Sequence, residues 1–296
     1  MGYLTDIVAL GIQTIAPFLT KPAGDVRKEF SLPCNVSAHR ATTDAGPISF
    51  KLYRPATPPG PLPVFLNIHG GGYVMGCPDQ DDHICRYLAN RACCAVVNIN
   101  YDTAPQARYP TAPEQCFSLA RWLSLNGDQL DLDPARLAVG GHSAGGALAA
   151  GVALRAAQDE AFQIIGLIVD YAILDLAADP RTKHRRLPRP LITPFLSRIF
   201  TDSYIPDRSK RLDPLASPLF ATDMTLLPPT LIITAELDTL RDEGDAFAGR
   251  LRDDGLLFEH VIVPGVDHFF THTGPVPQAR LALDAMIRLL DHVFKA

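Results

Sequence analysis

From about residue 47 onward, short β-rich runs alternate with longer stretches of helical period, and that rhythm leaves the chain few architectures. The runs ISFKLY, VFLNIH, CAVVNIN, RLAVGG, IGLIVDYA, TLIITAEL and FEHVIV have strand character. Between several of them lie DDHICRYLANR, APEQCFSLARWLSL, SAGGALAAGVALRAAQ, RDEGDAFAGRLRDDG and VPQARLALDAMIRLLDHVF, each long enough for a helix. The alternation predicts an α/β fold with a largely parallel sheet covered by helices on both faces. A chain of 296 residues, 47% hydrophobic and 20% charged, can bury a core of that size as one unit.

The rhythm fails between about 175 and 218, where proline and charge dominate and ITPFLSRIF is the one apolar helix candidate. That length exceeds an ordinary strand–helix connection and marks an insertion. The expected division is an N-terminal cap segment at 1–45, a core at 46–174 and 219–296, and a cap insertion at 175–218. In the first twenty residues, Leu4, Ile7, Val8, Ile12, Ile15 and Leu19 fall near helical spacing. They predict an amphipathic helix ended by Pro17 or Pro22. The segment has no positive start and is interrupted by Asp6 and Gln13, so neither a signal peptide nor a spanning helix is expected.

Charge and cysteines narrow the partners. A formal charge of -5 supplies no basic field for nucleic acid or anionic membrane. The basic cluster Arg181, Lys183, His184, Arg185, Arg186 and Arg189 is expected to be a solvated loop. Six cysteines show neither C-x-x-C pairing nor zinc spacing, so no metal is expected. Cys93 and Cys94 are expected inside an apolar strand as reduced thiols, which favours a cytoplasmic setting.

The chemistry begins with GGHSAGG at 140–146. Gly141, His142, Ser143, Ala144 and Gly145 form a G-x-S-x-G pentad after one strand and before a helix, the context of a nucleophile elbow. Small neighbours let the turn push the Ser143 hydroxyl clear of the sheet. Some seventy residues upstream stands HGGG, His69 to Gly72. Attack by serine on a carbonyl creates an oxyanion, and preorganised N–H groups stabilise it by about 3–4 kcal/mol per donor. Gly71, Gly72 and Ala144 are the expected donors, with His69 and Gly70 shaping the loop. A serine nucleophile also needs a base and an acid, in the order Ser, Asp or Glu, His. Asp238 closes the strand TLIITAEL, and His268 follows FEHVIVPG. They are assigned as the orienting acid and the general base. Asp242 and Asp267 compete for the first post, and His260, His272 and His292 for the second.

Through HGGGYVMG, GGHSAGG, AELDTLRDEG and PGVDHFF, in that order, the chain resembles the hormone-sensitive-lipase family of α/β-hydrolase esterases. YDTAPQARYPTAPEQ at 101–115 and YIPDRSKRLDPLASP at 204–218 extend the match. The resemblance implies an eight-stranded, mostly parallel sheet with a helical cap. It also implies hydrolysis of short- to medium-chain carboxylic esters, no cofactor, and often a homodimer. An amidase, deacetylase or thioesterase would use the same triad, and a non-catalytic ligand receptor could occupy the same scaffold. Two departures stand out: His142 replaces the usual Asp before the nucleophile, and Pro105-Gln106 replaces a proline–glutamate pair. Phe18, Leu191, Phe195 and Ile199 are candidates for an acyl pocket.

Overall fold

The computed structural model describes residues 2–57, 60–158 and 162–295. Helices α1 (Gly2–Leu19) and α2 (Gly24–Phe30) precede strands β1 (Asn35–Thr43), β2 (Gly46–Arg54) and β3 (Leu62–Ile68). Next come α3 (Asp82–Arg91), β4 (Ala95–Asn100), α4 (Thr111–Asn126), β5 (Leu132–His142), α5 (Ala144–Gln158) and β6 (Leu167–Asp170). The chain ends with α6 (Pro194–Tyr204), β7 (Thr230–Ala235), α7 (Arg241–Asp253), β8 (Leu257–Val263), α8 (Phe270–Thr273) and α9 (Val276–Lys295). The strands form one eight-stranded sheet in the order β1-β2-β4-β3-β5-β6-β7-β8. From β4 to β8 every neighbouring pair is parallel, whereas β1–β2 and β2–β4 are antiparallel.

Strand β3 shows why the central runs are continuously apolar: all seven of its residues are buried. Val64, Leu66 and Ile68 pack with α4 and α5 residues such as Leu119 and Leu148, while Phe65 joins Ile84, Leu88 and Leu289 on the other face. A strand covered on both sides has no polar face to alternate.

Two expectations need correction. Residues 35–43, assigned to the cap, form the edge strand β1; its mostly exposed side chains erase the alternation by which a half-buried strand is recognised. Helix α1 runs through Pro17 to Leu19 and stops ahead of Pro22, the second of its two expected ends. Cys93 is exposed in a turn with φ of 50°, and only Cys94 is buried ahead of β4.

The insertion contributes α6, capped by the Thr193 hydroxyl accepting from the Leu196 N–H at 3.2 Å, with Pro194 in the first turn. Helix α1 packs against α6. Gln13 fastens α1 to the core: its amide donates to the carbonyls of Val74 (3.0 Å) and Ala104 (2.8 Å). Gln13 and Gln106 also exchange two amide hydrogen bonds, at 3.0 and 2.9 Å. The glutamine at 106 is therefore half of a neutral clamp on the cap helix. Among the described residues, no helix is long and apolar enough to cross a membrane.

Candidate active site

The site lies at the C-terminal ends of the strands, where α/β sheets place their ligands. Ser143 follows β5, and its φ of 55° is the strained backbone that an elbow requires. Its N–H donates to the Asp170 carbonyl at 2.9 Å, tying the turn to β6. The turn is also held against the end of β3. A Cβ on Gly145 would lie 1.9 Å from the Ile68 carbonyl oxygen, so only glycine permits that approach.

The loops after β7 and β8 bring the other two residues to Ser143. His268 Nε2 is 2.9 Å from Ser143 Oγ, and His268 Nδ1 is 2.7 Å from Asp238 Oδ2. Asp238 is 1% exposed, and its second oxygen accepts from the Leu240 N–H at 2.9 Å. The carboxylate fixes the ring so that Nδ1 donates and Nε2 faces the hydroxyl. Burial works against a charged His268. The charge and hydrogen bond of Asp238, with the charges of Asp267 and Asp170, outweigh it and hold the ring above the ordinary imidazole pKa.

Gly71 and Gly72 follow β3 with φ of 125° and 61°. Their N–H groups have no backbone partner among the described residues. A Cβ on Gly72 would meet the Phe200 ring at 2.2 Å, so the cap helix closes on the bare backbone. Ala144 opens α5, where helix geometry leaves the first N–H groups unpaired. His69 is buried and stacks on Tyr101 with ring centroids 4.3 Å apart. Its carbonyl accepts from the Tyr101 hydroxyl at 3.0 Å, and its Nδ1 lies 2.7 Å from the Gly70 carbonyl.

The competing residues are engaged elsewhere. Asp242 pairs with Arg186, and Asp267 accepts from the N–H groups of Leu191 and His268, both at 2.7 Å. His260 lies 3.3 Å from Asp245, His272 lies 2.8 Å from Asp81, and the His292 ring packs against Phe258. The basic cluster is not uniformly solvated. Lys183 is a buried partner of Glu243, and Arg186 also donates to the Asp238 carbonyl at 3.3 Å, bracing the loop that carries Asp238. Arg185 and Arg189 are exposed.

A mostly apolar cavity of about 280 Å³ reaches Ser143 and His268, lined from the cap by Ile12, Leu191, Ile192, Leu196 and Phe200. Of the four acyl-pocket candidates only Leu191 lines it; Phe18 is 82% exposed and Phe195 66%. Two features could not be read from the sequence. His142 Nδ1 lies 2.7 Å from Asp170 Oδ2, and Phe200 fills the space over Gly72. Both pairs are distant along the chain and carry no local signature. Among the described residues no group of side chains is arranged to hold a metal.

A strand–elbow–helix turn on a sheet of this order is the hallmark of the α/β hydrolases, and the family profile described as "alpha/beta hydrolase fold" matches residues 65–272. The chain is 33% identical over 236 residues to an arylesterase of Saccharolobus solfataricus, covering 78% of this chain and 74% of that one. An ethyl acetate hydrolase of Pseudomonas putida is 34% identical over 238 residues, covering 79% and 75%. Among solved structures, a hyperthermophilic esterase from Pyrobaculum calidifontis superposes with a TM-score of 0.88 at 32% identity, over 97% of this chain and 92% of that one. The chain belongs to the hormone-sensitive-lipase-like family of α/β hydrolases.

Proposed function

We propose that the protein is a serine carboxylesterase that cleaves short- to medium-chain carboxylic esters through an acyl-enzyme. The observation that carries this reading is the relay from Ser143 Oγ to His268 (2.9 Å) and on to Asp238 (2.7 Å) at the edge of an apolar cavity. The esterase names of the relatives support it.

In the first half-reaction His268 Nε2 takes the Ser143 proton as Oγ bonds to the ester carbonyl carbon. The carbonyl oxygen becomes an oxyanion, and the N–H groups of Gly71, Gly72 and Ala144 donate to it. Asp238 keeps the ring oriented and stabilises the imidazolium. As the tetrahedral intermediate collapses, His268 gives its proton to the departing alkoxide, leaving the acyl group on Ser143. In the second half-reaction water delivers its proton to His268 and attacks the acyl carbon. Ser143 recovers the proton as the acid leaves.

The test is a kcat/KM series over p-nitrophenyl acetate, butyrate and palmitate, with Ser143→Ala as control and titration by a serine-directed organophosphate. Acetate or butyrate should be cleaved faster than palmitate, and activity should fall in step with labelling of Ser143. Faster cleavage of palmitate would reject the chain-length reading. Activity retained in Ser143→Ala would reject the mechanism.

A further inference from the structure

The cap side of the cavity is aliphatic and aromatic, but the sheet side brings His142, Gln80 and His272 to its lining. Gln80 and His272 are already engaged. The Gln80 amide donates to the Gly70 carbonyl at 3.1 Å. His272 uses Nε2 on Asp81 (2.8 Å) and Nδ1 on the Thr271 hydroxyl (3.0 Å). His142 differs. Its side chain is 3% exposed and its Nδ1 is taken by Asp170, yet its Nε2 has no protein partner among the described residues. Nor is that atom one of the enclosed, unpartnered ones, which include His69 Nε2 and His83 Nδ1. His142 lines the cavity, whereas His69 and His83 do not. His142 thus brings to the cavity wall a ring whose Nε2 is bonded to no protein group among the described residues.

The neighbours of His142 decide whether that nitrogen gives or takes a proton. Asp170 stands at the end of β6, and Asp81 closes the 3₁₀ turn Pro78–Asp81, its other oxygen accepting from the Asn67 amide at 2.8 Å. Both carboxylates are 0% exposed. Burial holds His69 on the loop after β3 and His83 on α3 below the ordinary imidazole range, and holds His272 on α8 at about 4, so these three are neutral. Tyr171, whose hydroxyl contacts Thr271, stays protonated because it is buried. His268 is committed to Ser143 and Asp238. Burial opposes a charge on His142, but Asp81 and Asp170 outweigh it and raise its affinity for the proton. Because Nδ1 donates to Asp170, Nε2 is the ring nitrogen to which a second proton goes.

We propose that His142 selects the substrate: its Nε2–H donates to an oxygen acceptor, an ether, keto or hydroxyl oxygen, carried on a short arm of the ester. The buried donor favours oxygen-bearing esters over plain alkyl esters of the same shape, because an alkyl group in its place leaves a desolvated N–H unpaired. This reading rests on the serine esterase function proposed above. His142 acts through binding and takes no part in the proton relay.

Isosteric substrate pairs test it on the full chain. p-Nitrophenyl methoxyacetate against p-nitrophenyl butyrate probes the acyl arm, and 2-methoxyethyl acetate against butyl acetate probes the alcohol arm. Each ratio of kcat/KM is divided by the ratio of hydroxide-catalysed rates, which removes intrinsic reactivity. The corrected ratio on one arm should be about tenfold higher in the wild type than in His142→Phe. His142→Gln, which keeps a donor, should retain most of the preference. If His142→Phe does not fold, the double variant His142→Leu/Asp170→Leu, which removes both buried partners together, takes its place in the comparison. Corrected ratios that match between wild type and variant on both arms would overturn the proposal, and so would an equal loss of rate on both members of each pair. Absence of hydrolysis of every ester, or of Ser143 labelling, would instead sink the esterase reading.

Discussion

Replacing Lys183 with methionine probes how the insertion is fastened over the site. The Lys183 ammonium and the Glu243 carboxylate form an ion pair with side chains only 8% and 10% exposed. Glu243 also accepts from the N–H groups of Leu174 and Asp175, at 2.7 and 2.8 Å. The pair thus joins the insertion, α7 and the segment after β6. Methionine preserves much of the lysine stem but removes the charge, leaving a buried carboxylate with amide donors alone. Breaking one side of such a pair costs about 3–5 kcal/mol. Unfolding entropy of about 2.1 cal/mol/K per residue gives about 0.6 kcal/mol/K for a chain of 296 residues. The expected fall in Tm is therefore about 5–8 °C by calorimetry at neutral pH. The double variant Lys183→Met/Glu243→Leu should recover most of that loss, since two apolar side chains replace two charges. The cost also has a catalytic side: Arg186, three residues on, braces the Asp238 carbonyl, so kcat should fall in the single variant. A Tm drop below about 2 °C for Lys183→Met would refute the claim that this pair is desolvated and structural.

Two further perturbations bear on the site itself. Asp267→Asn removes one of the charges that favour protonated His268. The base then stays neutral to lower pH, and the acid limb of kcat/KM should move down; an unmoved or raised limb contradicts the electrostatic assignment. Gly72→Ala sets a methyl where the Phe200 ring stands at 2.2 Å, on a backbone with φ of 61°. It should displace a proposed oxyanion donor and lower kcat about a hundredfold or more, with Phe200→Ala in the same chain returning part of the loss; wild-type kcat in Gly72→Ala would reject Gly72 as a donor.

The sequence by itself determined the parts whose physics is local. A buried parallel strand must be apolar on both faces, so runs such as VFLNIH announce themselves. An elbow needs small residues at fixed offsets, so GGHSAGG could be read directly, and HGGG marked the loop proposed to hold an oxyanion. The posts proposed for Asp238 and His268 rest on strand ends and chain order, and both side chains lie within hydrogen-bond reach of their expected partners. Strand β1 escaped because an exposed edge strand has no hydrophobic period to detect. What only the tertiary structure decided are pairings between distant segments: Asp170 and Asp81 around His142, Lys183 with Glu243, Phe200 over Gly72, and Gln13 with Gln106. Charge, burial and partnership at such positions depend on what the fold brings alongside, and a carboxylate has the same appearance in a sequence whether it will face water or an imidazole. Spacing along the chain shows which groups can act; how they are protonated and what they select is set where separate segments meet in a dry interior.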